Sequence, residues 1–197
     1  MTEFGLPRAD TIAMLGELSD LRAVALVKGT ARILMAFPFS AVATPFVVHA
    51  RGHSYYANCS WDAIAFYAML GLDPVGIESF CHHCAQPIAI EFEAGRATRV
   101  DPPSTIVYLG LPPTQWWADI ITTCSNTMVF FCSPAHRDAS GLSVSTEQTA
   151  SLTPDQIHQL GVPLYGNRLA LDYVRPGRDE LLAHFAALGF AGPYWQI

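Results

Sequence analysis

The run Tyr55-Tyr56-Ala57-Asn58-Cys59-Ser60-Trp61-Asp62-Ala63-Ile64-Ala65-Phe66-Tyr67 changes its hydrophobic period within a single turn of chain. An aromatic, β-type segment ends at Cys59 and an apolar helical pattern follows at once, so the backbone must pass there from strand to helix. The junction puts a thiol and a carboxylate three positions apart at a helix start. Helix N-termini carry partial positive charge and free N–H groups, which favour a carboxylate and are expected to lower a nearby thiol pKa. The plainer account is that Cys59 is a small buried hydrophobe and Asp62 a first-turn capping acid.

The flanking chain is read as short strands and a few helices. After an irregular lead-in over 1–10, Asp10 is placed to cap a helix carrying Ile12, Leu15, Leu18, Leu21 and Val24 and ending near Gly29. Ala31 to Phe37 and Phe46 to Ala50 read as extended, and a turn at Gly52-His53 makes a hairpin that delivers Cys59. The helix over 61–70 stops at Gly71, with Asp73-Pro74 beyond it. Ile88 to Phe92 and Ala97 to Val100 form a second hairpin about Gly95. Ser104 to Leu109 and Met128 to Phe131 read as strands, with a helix from an N-cap at Thr114 through Ile121 between them. Ser140 to Ser151 reads as polar loop, Thr153-Pro154-Asp155-Gln156 opens a helix, and another spans Arg178 to Leu188.

Together these elements predict an α+β protein with a mixed or antiparallel sheet flanked by helices. A lead-in over 1–44 and a core over 45–197 are expected to form one compact unit. At 197 residues the chain fits one domain, and 51% hydrophobic against 14% charged residues implies a large core, a substrate cavity or a covered interface such as a homodimer. A formal charge of −6, with Lys28 the only lysine, excludes a nucleic-acid surface because nothing neutralises phosphates. No apolar run approaches the ~18 residues of a membrane span, and the N-terminus lacks the order of a secretory signal. The expected setting is the cytoplasm, with reduced thiols and a small-molecule substrate, and with neither membrane nor nucleic acid as partner. Five cysteines, an odd number, fit a disulfide framework poorly.

Cys81-His82-His83-Cys84 fits half of a soft-metal site, because paired thiolates with two residues between them suit a tetrahedral ion such as Zn or Cu. A second Cys or His pair at finger spacing is missing, with Cys124 and Cys132 on a different element. Structural, metal-holding and redox roles therefore all stay open for Cys81 and Cys84. No Gly-x-Ser-x-Gly elbow, Gly-x-Gly-x-x-Gly turn or P-loop occurs. A cysteine hydrolase built on Cys59 and Asp62 would need a base from His49, His53 or His136, and no local signature selects one; a lone His49 in an apolar strand reads as a core residue. Trp116-Trp117 could wall an apolar substrate, although neighbours on a helix point to different faces.

The stretch Tyr56-Ala57-Asn58-Cys59-Ser60-Trp61-Asp62 with its apolar helix through Gly71 resembles the core signature of the alkylmercury (organomercurial) lyases, a Tyr-Ala-x-Cys-x-x-Asp segment before an apolar helix. Ser79-Phe80-Cys81 followed by Pro87-Ile88 is similar to that family's Ser-x-Cys…Pro-Val segment. Trp117-Ala118-Asp119-Ile120…Cys124…Phe130-Phe131-Cys132-Ser133 resembles its second catalytic-cysteine segment. Cys84 and Cys132 are thiols beyond the family pattern. The resemblance covers about residues 45–135 and implies a lyase-like core with a shortened N-terminal helical region. It implies protonolysis of a carbon–mercury bond, with Cys59 and Cys124 capturing mercury and Asp62 carrying the proton. No organic cofactor is implied, and mercury itself is substrate and product. Two other readings remain: a lyase or hydrolase on a non-mercurial metabolite using Cys59 and Asp62, and a non-catalytic soft-metal protein holding an ion with Cys59, Cys81, Cys84 and Cys124.

Overall fold

A computed structural model describes residues 5–197, so the first four residues of the expected lead-in lie outside the described part. The chain runs through α1 (Arg8–Asp20), β1 (Val24–Leu26), β2 (Ile33–Ala36), β3 (Phe39–Ser40), β4 (Val47–Ala50), β5 (His53–Tyr56) and α2 (Ser60–Leu70). It continues through β6 (Val75–Phe80), β7 (Pro87–Glu93), β8 (Arg96–Asp101), β9 (Ile106–Leu109), α3 (Ile120–Thr122), β10 (Met128–Phe131) and α4 (Pro134–Ala139). The last elements are β11 (Ala150–Leu152), α5 (Pro154–Tyr165) and α6 (Arg178–Ala187). The strands form three antiparallel sheets, ordered β5-β4-β6-β7-β8, β10-β9-β11 and β1-β2-β3. The architecture is α+β, and every strand pair is antiparallel.

The centre of the molecule is α2. Ser60 through Phe66 and Met69 are all buried, so this helix is enclosed on every side, as its uninterrupted apolar sequence requires. Its end matches expectation, since Gly71 adopts φ 56° in the left-handed cap position that a side chain would strain. The sheets close around it through Val48, Ile77, Ile90, Phe92, Val107, Phe130 and Phe131, and Ala25, Met35 and Phe37 from the first sheet join the same core.

α5 is the other element that positions the site. Thr153 and Gln156 form a reciprocal capping box at its start, as the sequence predicts. Gly161 is buried against α2, where an added Cβ would lie 2.9 Å from Trp61 Nε1, so only glycine lets the helices approach this closely. Pro163 has no N–H and leaves the carbonyl one turn back, that of Gln159, without its helical donor. His184 Nε2 of α6 occupies that place at 3.0 Å.

Three expectations differ from the structure. α1 ends at Asp20 rather than near Gly29 and buries no residue, because Arg22 at φ 61° turns the chain into β1. No helix runs from Thr114 to Ile121. Pro112-Pro113 starts a 3-10 turn instead, Asp119 caps the short α3, and a π-helical turn over Thr123–Thr127 follows. Ala150–Leu152 is a strand, because β9 offers its second edge to it. Among the described residues no helix is long and apolar enough to cross a membrane.

Candidate active site

Cys59 leaves the strand region with φ −156°, and its Sγ accepts a hydrogen bond from the Asp62 N–H at 3.3 Å. The thiol itself is the N-cap of α2, a place usually held by Ser, Thr, Asp or Asn. This cap turns Asp62 back toward the sulfur. The third group arrives from elsewhere in the chain: the π-helical turn over Thr123–Thr127 widens the backbone just before β10 and directs Cys124 inward. One ligand atom each from Cys59, Asp62 and Cys124 lies within 4.8 Å of the other two, and all three residues are buried. Met128 Sδ sits 3.9 Å from Cys59 Sγ, adding a third soft sulfur.

Asp62 is held from both oxygens. Asn58 Nδ2 donates to Oδ2 at 2.9 Å and the Tyr165 hydroxyl donates to Oδ1 at 2.7 Å. Asn58 is itself pinned by a bond from Nδ2 to the Pro38 carbonyl at 3.0 Å. Burial pushes the Asp62 carboxyl up from 3.8 to about 6, against the pull of Asn58, Tyr165, the Arg168 charge and Cys59. The Cys59 thiol is raised well above its ordinary value, first by burial and then by Cys124 and Asp62. This reverses the expected lowering by the helix start, because one N–H bond cannot offset desolvation beside another thiol and a carboxylate. Tyr165 is raised too, by burial and by Asp62, so it remains a proton donor to the carboxylate.

The three groups open onto a cavity of about 390 Å³. Its walls are largely apolar, with Phe37, Trp61, Trp116, Trp117, Ile120 and Leu164 among them, and three arginines, Arg22, Arg168 and Arg175, line it as well. Arg22 and Arg175 lie over the Trp117 ring at 5.1 and 5.9 Å. Arg168 lies over Phe37 and Tyr165 at 5.8 and 5.6 Å. Both tryptophans face the cavity because the segment that carries them is not the continuous helix the sequence suggests. Trp116 is fixed by donation from Nε1 to the Leu111 carbonyl at 2.7 Å.

A family model described as alkylmercury lyase matches residues 39–166. The chain belongs to the alkylmercury lyase family. Alkylmercury lyases of Bacillus cereus and Clostridium butyricum are each 32% identical to it over 93 residues, 47% of this chain and 41% of theirs. One from Staphylococcus epidermidis is 28% identical over 102 residues. The matched stretch thus spans less than half the length of these curated relatives. The fold is similar to that in the crystal structure of the mercury-bound form of MerB2, with a TM-score of 0.63 over 85% of this chain and 77% of that one at 19% identity.

The remaining predicted ligands lie elsewhere. Cys81 and Cys84 do not approach Cys59 and Cys124; they converge with Cys132 and His136 in a second group, so the four thiols of the single-ion reading are divided between two places. Burial raises the Cys81 thiol, but backbone N–H groups from Cys132, Cys84 and His83 outweigh it and hold this thiol down at about 6. His49 is not a core residue: its Nδ1 bonds the Ser54 hydroxyl at 2.9 Å and its Nε2 pairs with Glu78 at 3.4 Å. No histidine is among the described residues lining the cavity, so none of His49, His53 and His136 serves Cys59 as a base there. Sequence reading missed Asn58, Tyr165, Arg168 and Met128. Asn58 stood beside Cys59 and its i to i+4 spacing to Asp62 was a usable signal, whereas Tyr165 at the end of α5 and Arg168 in the turn beyond it carried none.

Proposed function

We propose that this protein cleaves the carbon–mercury bond of organomercurials by protonolysis. The observation that carries the reading is the convergence of Cys59, Asp62 and Cys124 beneath an apolar cavity. The cavity takes the hydrocarbon group and places mercury at the sulfurs. Thiolates are the preferred ligands of soft metal ions, so the Cys124 thiol displaces the original ligand on mercury, its proton leaving with that ligand, and Cys59 follows as the second sulfur. Because burial keeps the Cys59 proton on sulfur, a base is needed to release it, and Asp62 is the adjacent carboxylate. The carboxyl receives that proton and gives it to the carbon. The electron pair of the carbon–mercury bond takes up the proton as the bond breaks, the hydrocarbon departs, and mercury remains as a dithiolate. Asn58 and Tyr165 keep both Asp62 oxygens in register with the sulfurs during the two transfers.

The deciding experiment incubates the protein with phenylmercury and excess small thiol and measures benzene. Wild type releases it catalytically, whereas Cys59→Ser and Cys124→Ser do not. Stoichiometric mercury binding without benzene from the wild type would overturn the reading and leave a binding protein.

A further inference from the structure

The second cluster of soft donors lies outside the proposed reaction. We propose that Cys81, Cys84, Cys132 and His136 form a closed tetrahedral zinc site that ties the turn between β6 and β7 to the start of α4. One ligand atom from each residue lies within 4.8 Å of the other three. His136 Nδ1 is 3.5 Å from Cys81 Sγ and 3.5 Å from Cys84 Sγ. Tetrahedral zinc with Zn–S near 2.3 Å and Zn–N near 2.05 Å places such S and N atoms ~3.5 Å apart. Both distances therefore already have the separation that a shared ion imposes.

The backbone is arranged in the same way. The Ala85 N–H donates to the Cys81 carbonyl at 2.9 Å and the Cys81 N–H to the Gln86 carbonyl at 2.8 Å, which closes a tight turn. Ala85 takes φ 58°, a left-handed conformation that an alanine adopts only when its surroundings require it. This turn brings Cys84 back beside Cys81. The His82 N–H donates to the Phe130 carbonyl at 2.9 Å and the Cys132 N–H to Cys81 Sγ at 3.4 Å, which moors the turn on the end of β10. Ser133 then caps α4 and directs its first turn, with His136, back over the sulfurs. Three thiols and one imidazole from two segments fill all four positions, so the site has no open coordination place for a substrate. That is the arrangement of structural zinc rather than of a reaction centre.

The site is tested on the full-length protein produced with zinc and measured by elemental analysis and by cobalt titration. Expected are stoichiometric zinc and, after exchange, the visible absorption of tetrahedral thiolate-bound cobalt. Cys84→Ser and His136→Ala lose both signals, and Cys84→His, which keeps four donors, retains the metal. Cys59→Ser and Cys124→Ser keep the zinc, so this result does not depend on whether benzene is released. Zinc-free wild type that gives no tetrahedral cobalt spectrum overturns the proposal, and so does zinc lost with Cys59 but kept without His136. If a variant does not fold, the wild-type cobalt titration still decides.

Discussion

At the scale of the residue, Asp62 sets the pH behaviour. Its carboxyl moves from 3.8 to about 6 on folding, close to two units at ~1.4 kcal/mol each. A raised folded value means that the stabilising contribution is present below 3.8 and disappears as pH rises through about 6. Asp62→Asn has no such charge to bury. Its stability relative to wild type should therefore improve by up to about 3 kcal/mol between pH 4 and pH 7. Thermal melts of both proteins across that range check this, and a constant difference would contradict it. The same variant should bind mercury and release almost no benzene. Tyr165 acts on the carboxylate through its hydroxyl, and removing a hydrogen bond to a charged group raises the pKa by about one unit. In Tyr165→Phe the acid limb of the benzene-release profile should move to higher pH by that amount, with mercury binding unchanged.

At the scale of the element, the approach of α5 to α2 is set by Gly161. Alanine there gains ~1 kcal/mol of helix propensity, but its Cβ would lie 2.9 Å from the indole nitrogen of buried Trp61. Overpacking of a filled core costs about 1 to 3 kcal/mol, so the clash outweighs the propensity gain. Gly161→Ala should be destabilised by about 1 kcal/mol in urea titrations and should release benzene more slowly, because Tyr165 lies one turn further on. A stabilised Gly161→Ala would show that the helices separate freely. The His184 bond to the Gln159 carbonyl lies at an exposed position, and His184→Ala should lose less than about 1 kcal/mol.

At the scale of the whole molecule, the charge near the cavity opposes the net charge. The chain carries −6 overall, yet Arg22, Arg168 and Arg175 line the cavity against the single carboxylate Asp62. Arylmercurials bearing a carboxylate should therefore have a higher kcat/KM than phenylmercury, and the preference should shrink with salt over the range where screening shortens to ~8 Å. Equal values at low ionic strength would show that the arginines serve only to stack on Trp117, Phe37 and Tyr165. Much of this molecule was legible in advance wherever the signal was local. The α2 start and its Gly71 end, the hairpins about Gly52 and Gly95, and the capped start of α5 each rest on residues a few positions apart. The helix expected from Thr114 to Ile121 does not form because Pro112-Pro113 and Asp119 break a pattern that looks helical, and the turns that replace it lead into the π-helical turn that carries Cys124.

The sequence by itself determined the Cys59 and Asp62 pair, since an N-cap and the third residue of a helix meet through backbone geometry alone. It also determined the enclosed helix behind them, because an apolar run without a polar face must be buried. Only the tertiary structure decided how the five thiols are sorted. Antiparallel pairing of β9 with β10 brings Cys124 to one end of the strand, beside Cys59, and Cys132 to the other, beside Cys81, Cys84 and His136. Contacts between residues so far apart in the chain follow from strand register and helix packing, and no local pattern encodes those.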